Sequence, residues 1–264
     1  MTTRPRPQDV PAPRSGPAPL RAVGAALRGL SPHAFFIERE VAGLAEVVRP
    51  GAVCLDVGAE YGLYTFTLAD LAGPAGAVYA VEPLPGPARF LTTAASALGA
   101  DNVRVLRRAL AREEGTGTLS LPLRRGLPVH GRAYLTTGAA SPGPNTEFSA
   151  ARTVTAPVST LDSLAAELGF DRLDFVKADV EGAELAVIDG GAATLERHRP
   201  ALLLEIEDRH LAKYGARAAD VADRLAAMGY RMRVWVARAW RDADRVREGH
   251  RNYLFTAEGA DRRA

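Results

Sequence analysis

Short apolar runs alternate with longer amphipathic ones along two stretches of this chain. In the first stretch, "AVCLDVG" is a brief apolar run closed by Asp and Gly, which predicts a buried strand. "LYTFTLADLAG" predicts a helix ending near Gly73-Pro74. "GAVYAVEP", "GPARFLTTAASALG" and "NVRVLRRAL" follow as strand, helix and strand. The second stretch resumes the rhythm with "LDFVKAD" (strand), "GAELAVIDGGAATLE" (helix), "ALLLEIE" (strand), "ADVADRLAAMGY" (helix), "RMRVWVA" (strand) and "NYLFTA" (strand). Such an order argues for an α/β chain with a parallel sheet and helices on both faces. The last two strands have no room for a helix between them and are expected to pair antiparallel.

The flanks read differently. Residues 1–19 are Pro-rich and poor in large apolar side chains, which predicts a disordered tail. Residues 20–48 predict two helices, the second opened by Ser31 as N-cap and Pro32 at the first helical position. Residues 113–157 break the rhythm: "GTGTLSLPL" and "ARTVTAPVSTLDSL" flank the Gly/Pro/Ser/Asn-rich "GAASPGPNTEF". Short strands around a long mobile loop are expected there, in the role of a substrate lid. Residues 20–264 are thus expected to form a single domain carrying a lid-like insertion.

Composition narrows the function classes. No run approaches the roughly 18 apolar residues of a membrane span, and the N-terminus lacks the apolar core of a signal peptide. The one cysteine, Cys54, lies in an apolar run and is expected in the core. A cytoplasmic protein follows as the expectation. Net charge is +2, and of the 33 basic residues only Lys177 and Lys213 are lysines. That arginine bias reads as a coding preference, so arginine runs do not argue for a nucleic-acid partner.

The candidate chemistry lies in the acids. Asp56, Glu82, Asp179, Glu205 and Glu207 close successive strands, at the edge where a doubly wound sheet binds its ligands. Glu60, Glu181 and Glu184 stand on the loops and helix starts beside them. Helix capping accounts for some of these positions. It does not account for Glu82, which Pro83 follows. Glu82 lies 24 residues after Gly58, near the roughly 20 expected of an acid that accepts hydrogen bonds from ribose hydroxyls.

The first loop, "DVGAEYG", is glycine-rich, but Glu60 stands where a dinucleotide fingerprint has its middle glycine. A pyrophosphate wants bare amides there, and a carboxylate repels it. S-adenosylmethionine carries no phosphate; it carries a sulfonium, an ammonium, a small carboxylate and a ribose. An acidic edge suits that ligand. An NAD-dependent oxidoreductase is therefore the weaker alternative, with a non-catalytic binding protein as the third.

The segments "LDVGAEYGLYTFTLA", "VYAVEPLPGPARFL", "NVRVLRRALA", "STLDSL", "FVKADVEGAELAVIDGG" and "RPALLLEIE" resemble the FkbM-type methyltransferases, a branch of the class I S-adenosylmethionine-dependent enzymes. The resemblance spans about residues 45–257, and "KADVEGAE" is its most specific block. It implies a doubly wound, Rossmann-like sheet of seven strands, mostly parallel with an antiparallel C-terminal strand. It implies methyl transfer to a hydroxyl of a small molecule, a sugar or secondary-metabolite intermediate. Carried over residue by residue, it implies that Asp56, Gly58, Ala59 and Gly62 surround the amino-acid end of the cofactor. It also places Glu82 at the ribose, Ala109 beside the adenine and Asp179 beside the reacting methyl. The family usually shows Asn where Glu60 stands, so the contact of Glu60 stays open.

Methyl transfer to a hydroxyl needs alignment and a nearby base. Histidine suits the second need. His210, after the "ALLLEIE" strand, is the candidate base, and His130 in the insertion is a candidate lid contact. Asp179 and Glu205 holding a divalent metal that acidifies the acceptor is the less favoured route. Glu181 and Glu184 are read first as the start of the following helix. Oligomeric state is not legible.

Overall fold

The computed structural model describes residues 16–31, 33, 37–141, 148 and 150–257. The expected tail therefore falls largely outside the described residues, as do Pro32 and residues 142–147 of the expected loop.

The core is a sheet built where the apolar runs predict it. Strand β1 (Val53–Val57) sits between β2 (Ala77–Val81) and β9 (Phe175–Ala178), parallel to both. Beyond β2 lies β3 (Val103–Leu106); beyond β9 lies β10 (Ala201–Glu205). Strand β13 (Asn252–Ala257) inserts antiparallel between β10 and β11 (Tyr230–Val236), the antiparallel pairing expected of the last two runs. A further strand, β12 (Ala239–Asp242), folds back on β11, so the sheet has eight strands among the described residues rather than seven. The turn at Ala237 and Arg238, both with positive φ, makes this hairpin from the segment following "RMRVWVA".

Central strands buried on both faces need apolar side chains in both directions. Leu55 and Val57 of β1 face one core with α4 (Leu161–Leu168), α5 (Glu184–Asp189), α6 (Ala192–His198) and α8 (Ala218–Ala227). Cys54 faces the other, with α1 (Ala18–Leu30), α2 (Leu63–Ala72) and α3 (Pro85–Leu98). A short helix, α7 (Asp208–Leu211), follows β10.

Three expectations need correction. The single helix expected over "GAELAVIDGGAATLE" is two, α5 and α6. A Cβ on Gly190 would lie 2.2 Å from the Ala111 carbonyl oxygen, so the break is where another chain segment comes close. The second N-terminal helix is a 3₁₀ segment, Arg39–Glu46, whose Gly43 lies against the rings of Trp235 and Trp240. Two of the strands of the insertion are longer than expected, while part of the expected loop lies outside the described residues. The ten-residue strands β5 (Gly115–Arg124) and β8 (Ala150–Ser159) pair antiparallel over nine positions. The short strands β4 (Ala109–Leu110), β6 (Leu127–Pro128) and β7 (Tyr134–Leu135) complete a second sheet with its own small core. The third predicted strand is thereby split, and Ala109 belongs to the second sheet.

Candidate active site

The carboxyl ends of β1, β2 and β9 face the second sheet across a cleft of about 710 Å³, counting space open to solvent. Its lining combines the acids Glu60, Glu82, Asp179 and Glu181 with the apolar Leu84, Ala109, Leu110, Leu119 and Leu135, and includes Arg108 and His130.

The first loop is shaped by close approach. Gly58 has φ 81°, and a Cβ there would lie 1.9 Å from the Asp179 carbonyl oxygen. Only glycine lets the β1 loop reach the end of β9 in this conformation. The N–H groups of Gly58 and Ala59 donate to the Val81 carbonyl at 2.9 and 3.2 Å, tying the loop to β2.

Glu82 follows β2 and is 4% exposed. Its Oε2 accepts the Glu60 N–H at 2.9 Å, and its Oε1 accepts the Leu84 N–H at 2.8 Å. Each carboxylate oxygen thus has one backbone donor and keeps acceptor capacity. Burial pushes its pKa up to about 7 against the opposing pull of those two amides.

Of the residues expected at the cofactor, Gly58, Glu60, Glu82, Ala109 and Asp179 line the cleft. Asp56, Ala59 and Gly62 do not. Asp56 is buried, accepts the Thr65 hydroxyl at 2.5 Å, and stands opposite Lys177 in the β1–β9 register. Burial raises its pKa to about 6. It fastens α2 to β1 behind the loop. Gly62, with φ 87°, begins α2 under the Phe66 ring.

His210 is placed differently from the sequence expectation. It is 2% exposed and does not line the cleft. Its Nδ1 lies 2.5 Å from Glu181 Oε2 and 3.0 Å from Lys213 Nζ, and its Nε2 lies 2.9 Å from Arg132 Nη1. Arg132 comes from the insertion and can only donate, so Nε2 accepts, while Nδ1 lies between the Glu181 carboxylate and the Lys213 side-chain nitrogen. Neither ring nitrogen is free for an acceptor in this conformation. Glu181 itself lines the cleft, with φ 56° and its carboxylate also within 3.4 Å of Lys213 Nζ and 3.5 Å of Arg132 Nη1. Glu184 does begin a helix: its Oε1 accepts the Val180 and Gly182 N–H groups, both at 3.2 Å, and burial raises its pKa to about 7.

Beside Asp179 the acids crowd further. Burial, then the Asp179 carboxylate, pushes Glu205 well above the usual carboxylate range, so its carboxyl keeps the proton. Glu38 joins this group and accepts the Tyr64 hydroxyl. Lys177 Nζ lies 3.9 Å from Asp179 Oδ2 and over the Tyr64 ring at 4.9 Å. Burial alone would lower the Lys177 pKa; Asp179, Glu38, Glu205 and Asp56 raise it instead. Two triads have spacing compatible with a metal, Glu181–Glu205–His210 and Glu38–Asp179–Glu205. Each already has a lysine ammonium beside it, Lys213 in the first and Lys177 in the second.

Sequence reasoning missed Glu38, Tyr64, Gly131 and Arg132 at this site. Glu38, Gly131 and Arg132 arrive from segments without a motif, the N-terminal segment and the insertion, while Tyr64 lies on α2 in the first quoted segment and is tied to Glu38 through its hydroxyl. His130 does line the cleft, and its Nδ1 lies 3.0 Å from the Tyr61 hydroxyl.

Residues 56–232 match the family model of the methyltransferase FkbM domain. No curated protein matches the chain. Among solved structures, the methyltransferase FkbM from Methylobacillus flagellatus KT is 14% identical with a TM-score of 0.46. That similarity covers 90% of this chain but only 58% of the Methylobacillus chain. Cofactor-bound Rv0187 from MTB is 17% identical, covering 97% of this chain and 99% of that one, with a TM-score of 0.47. Aeropyrum pernix fibrillarin, solved with S-adenosyl-L-methionine, is 14% identical over 90% of this chain and 74% of its own, with a TM-score of 0.45. Scores this low add no argument of their own. The family model covers about two thirds of the sequence, including the β1 loop, Glu82 and the "KADVEGAE" block, and on that match the chain belongs to the FkbM methyltransferase family, a family of S-adenosylmethionine-dependent enzymes.

Proposed function

We propose that this protein transfers a methyl group from S-adenosylmethionine to a hydroxyl oxygen of a small molecule. The observation that carries the reading is Glu82, a buried carboxylate with both oxygens held by backbone amides, at a cleft lined by acids and apolar side chains.

The residues present fit the cofactor. Glu82 accepts the ribose hydroxyls, and Ala109, Leu110 and Leu119 offer an apolar wall to the adenine. Gly58 and Asp179 border the amino-acid end. When bound, the cofactor supplies a methyl carbon activated by the sulfonium. Asp179 and Glu181 line the cleft as carboxylates able to take the acceptor's proton, and His210 acts behind Glu181, orienting it. A hydroxyl that has gained a methyl becomes a very strong acid, so the accepting carboxylate has to be adjacent and ionised rather than strongly basic. Leu119, His130, Gly131, Ala133 and Leu135 of the insertion line the cleft and shield the reacting atoms from water.

Incubation with methyl-labelled cofactor and a panel of polyols, sugars, phenols and amines tests the reading. Label should move to hydroxyl oxygens. Transfer to amine nitrogen alone would contradict it.

A further inference from the structure

Of the 33 basic residues in this chain only two are lysines, Lys177 and Lys213. A chain that uses arginine for its other cations has lysine at two buried positions, 1% and 0% exposed. Each lies beside a carboxylate of the cleft: Lys177 Nζ is 3.9 Å from Asp179 Oδ2, and Lys213 Nζ is 3.4 Å from Glu181 Oε2. Each also lies over a tyrosine ring, Tyr64 at 4.9 Å and Tyr134 at 4.5 Å. Lys177 belongs to the "KADVEGAE" block, whereas Lys213 lies outside the motif segments.

The surroundings of Lys213 define its task. Its Nζ donates to the Glu181 carbonyl at 3.1 Å as well as to the carboxylate, and lies 3.0 Å from His210 Nδ1. One cation therefore holds both the main chain and the side chain of Glu181, which stands in the left-handed region at φ 56°. That conformation is uncommon for a residue with a side chain and persists where its surroundings over-determine it. Lys213 sits in the 3₁₀ turn Ala212–Tyr214, which also grips the insertion. The Lys213 carbonyl accepts the Ala140 N–H at 2.8 Å, and the Tyr214 hydroxyl donates to the Leu135 carbonyl at 2.6 Å. Glu181 and Leu135 line the cleft, and Lys213 does not.

An arginine suits this position poorly. Its guanidinium is larger and planar, with its donors spread in a rigid fork, whereas both Glu181 oxygens and the His210 ring converge on one point. A larger group at a fully enclosed position also overpacks it.

We propose that Lys213 is a positioning residue for methyl transfer: its ammonium fixes the main chain and carboxylate of Glu181 at the cleft and seats the insertion beside it, a task that arginine does not perform. The proposal rests on reading the cleft as the site of methyl transfer.

Two measurements test it. In NMR spectra of protein isotopically labelled at the lysine ε carbons, Lys177 and Lys213 give one side-chain signal each. Glu181→Gln and Tyr134→Leu should each shift the Lys213 signal and leave that of Lys177 nearly in place. The second measurement is turnover, read as methyl label moved to the hydroxyl acceptor that the panel identifies, set beside the affinity for S-adenosylmethionine. Lys213→Met and Lys213→Arg should each lower turnover about 10–100-fold, the cost of a misplaced reacting group, with cofactor affinity held within about threefold. Thermal unfolding checks that each variant is folded, and the lysine signals decide the matter if neither Lys213 variant folds. Wild-type turnover in a folded Lys213→Met or Lys213→Arg variant would overturn the proposal. So would a loss that appears wholly in cofactor affinity, or a Lys213 signal that ignores both Glu181→Gln and Tyr134→Leu. A wild-type protein that binds no S-adenosylmethionine removes the methyltransferase reading itself, a failure distinct from the other three.

Discussion

Glu82 is the residue on which the binding site turns. Truncation to Ala removes both acceptor oxygens and leaves the amides of Glu60 and Leu84 without them. The expected result is cofactor affinity lowered by roughly 10–100-fold in calorimetry, the worth of hydrogen bonds to a charged group. Glu82→Gln has a second consequence. The folded-state pKa is raised to about 7, above the roughly 4.3 of an unfolded Glu. Its contribution to stability is therefore complete at low pH and is lost as pH rises through about 7. The amide does not ionise, so relative to wild type the Gln variant should gain thermal stability between pH 5 and pH 8. A constant difference in melting temperature across that range would contradict the assignment. The positions of Glu82 and Gly58 at the cleft were legible in the sequence because they depend on local spacing. His210 was not. Its burial depends on Arg132, 78 residues away, and on the turn at Glu181–Gly182, where a Cβ on Gly182 would lie 2.2 Å from the His210 carbonyl oxygen.

The strands and helices of the wound sheet followed from periodicity, since a strand buried on both faces has to be apolar along its whole length. The insertion did not. "GTGTLSLPLR" and "AARTVTAPVS" read as short strands taken alone, because Gly, Pro, Thr and Ser interrupt the apolar pattern along their length. Their pairing buries Leu119, Leu121, Ala156 and Val158 against Leu84 and Ala109, a contact no local pattern reveals. This ordered second sheet predicts slow amide hydrogen exchange within 115–121 and 153–159, comparable to the edge strands of the main sheet. Complete exchange there within seconds would contradict the pairing of β5 with β8. The broken helix is similar in kind: Gly190 reads as an interruption only once Ala111 is seen beside it. Gly190→Ala should destabilise the protein by about 2 kcal/mol or more in chemical denaturation, because the added methyl meets a backbone carbonyl rather than a side chain that can turn.

Across the whole molecule, strand order gathers the chemistry. Because β2, β1, β9 and β10 run parallel, residues that end separate apolar runs share one edge: Glu82, Asp179 and Glu205, with Glu60 and Glu181 on the loops. Among the described residues no helix is long and apolar enough to cross a membrane. The acidic edge suits a cationic ligand without phosphates and repels a dinucleotide, which is the central claim. Titration calorimetry of the intact protein with S-adenosylmethionine and, separately, with NAD tests it most directly. The account predicts saturable binding of S-adenosylmethionine, weakened by Glu82→Ala, and no measurable heat with NAD. Tight binding of NAD with none of S-adenosylmethionine would contradict it.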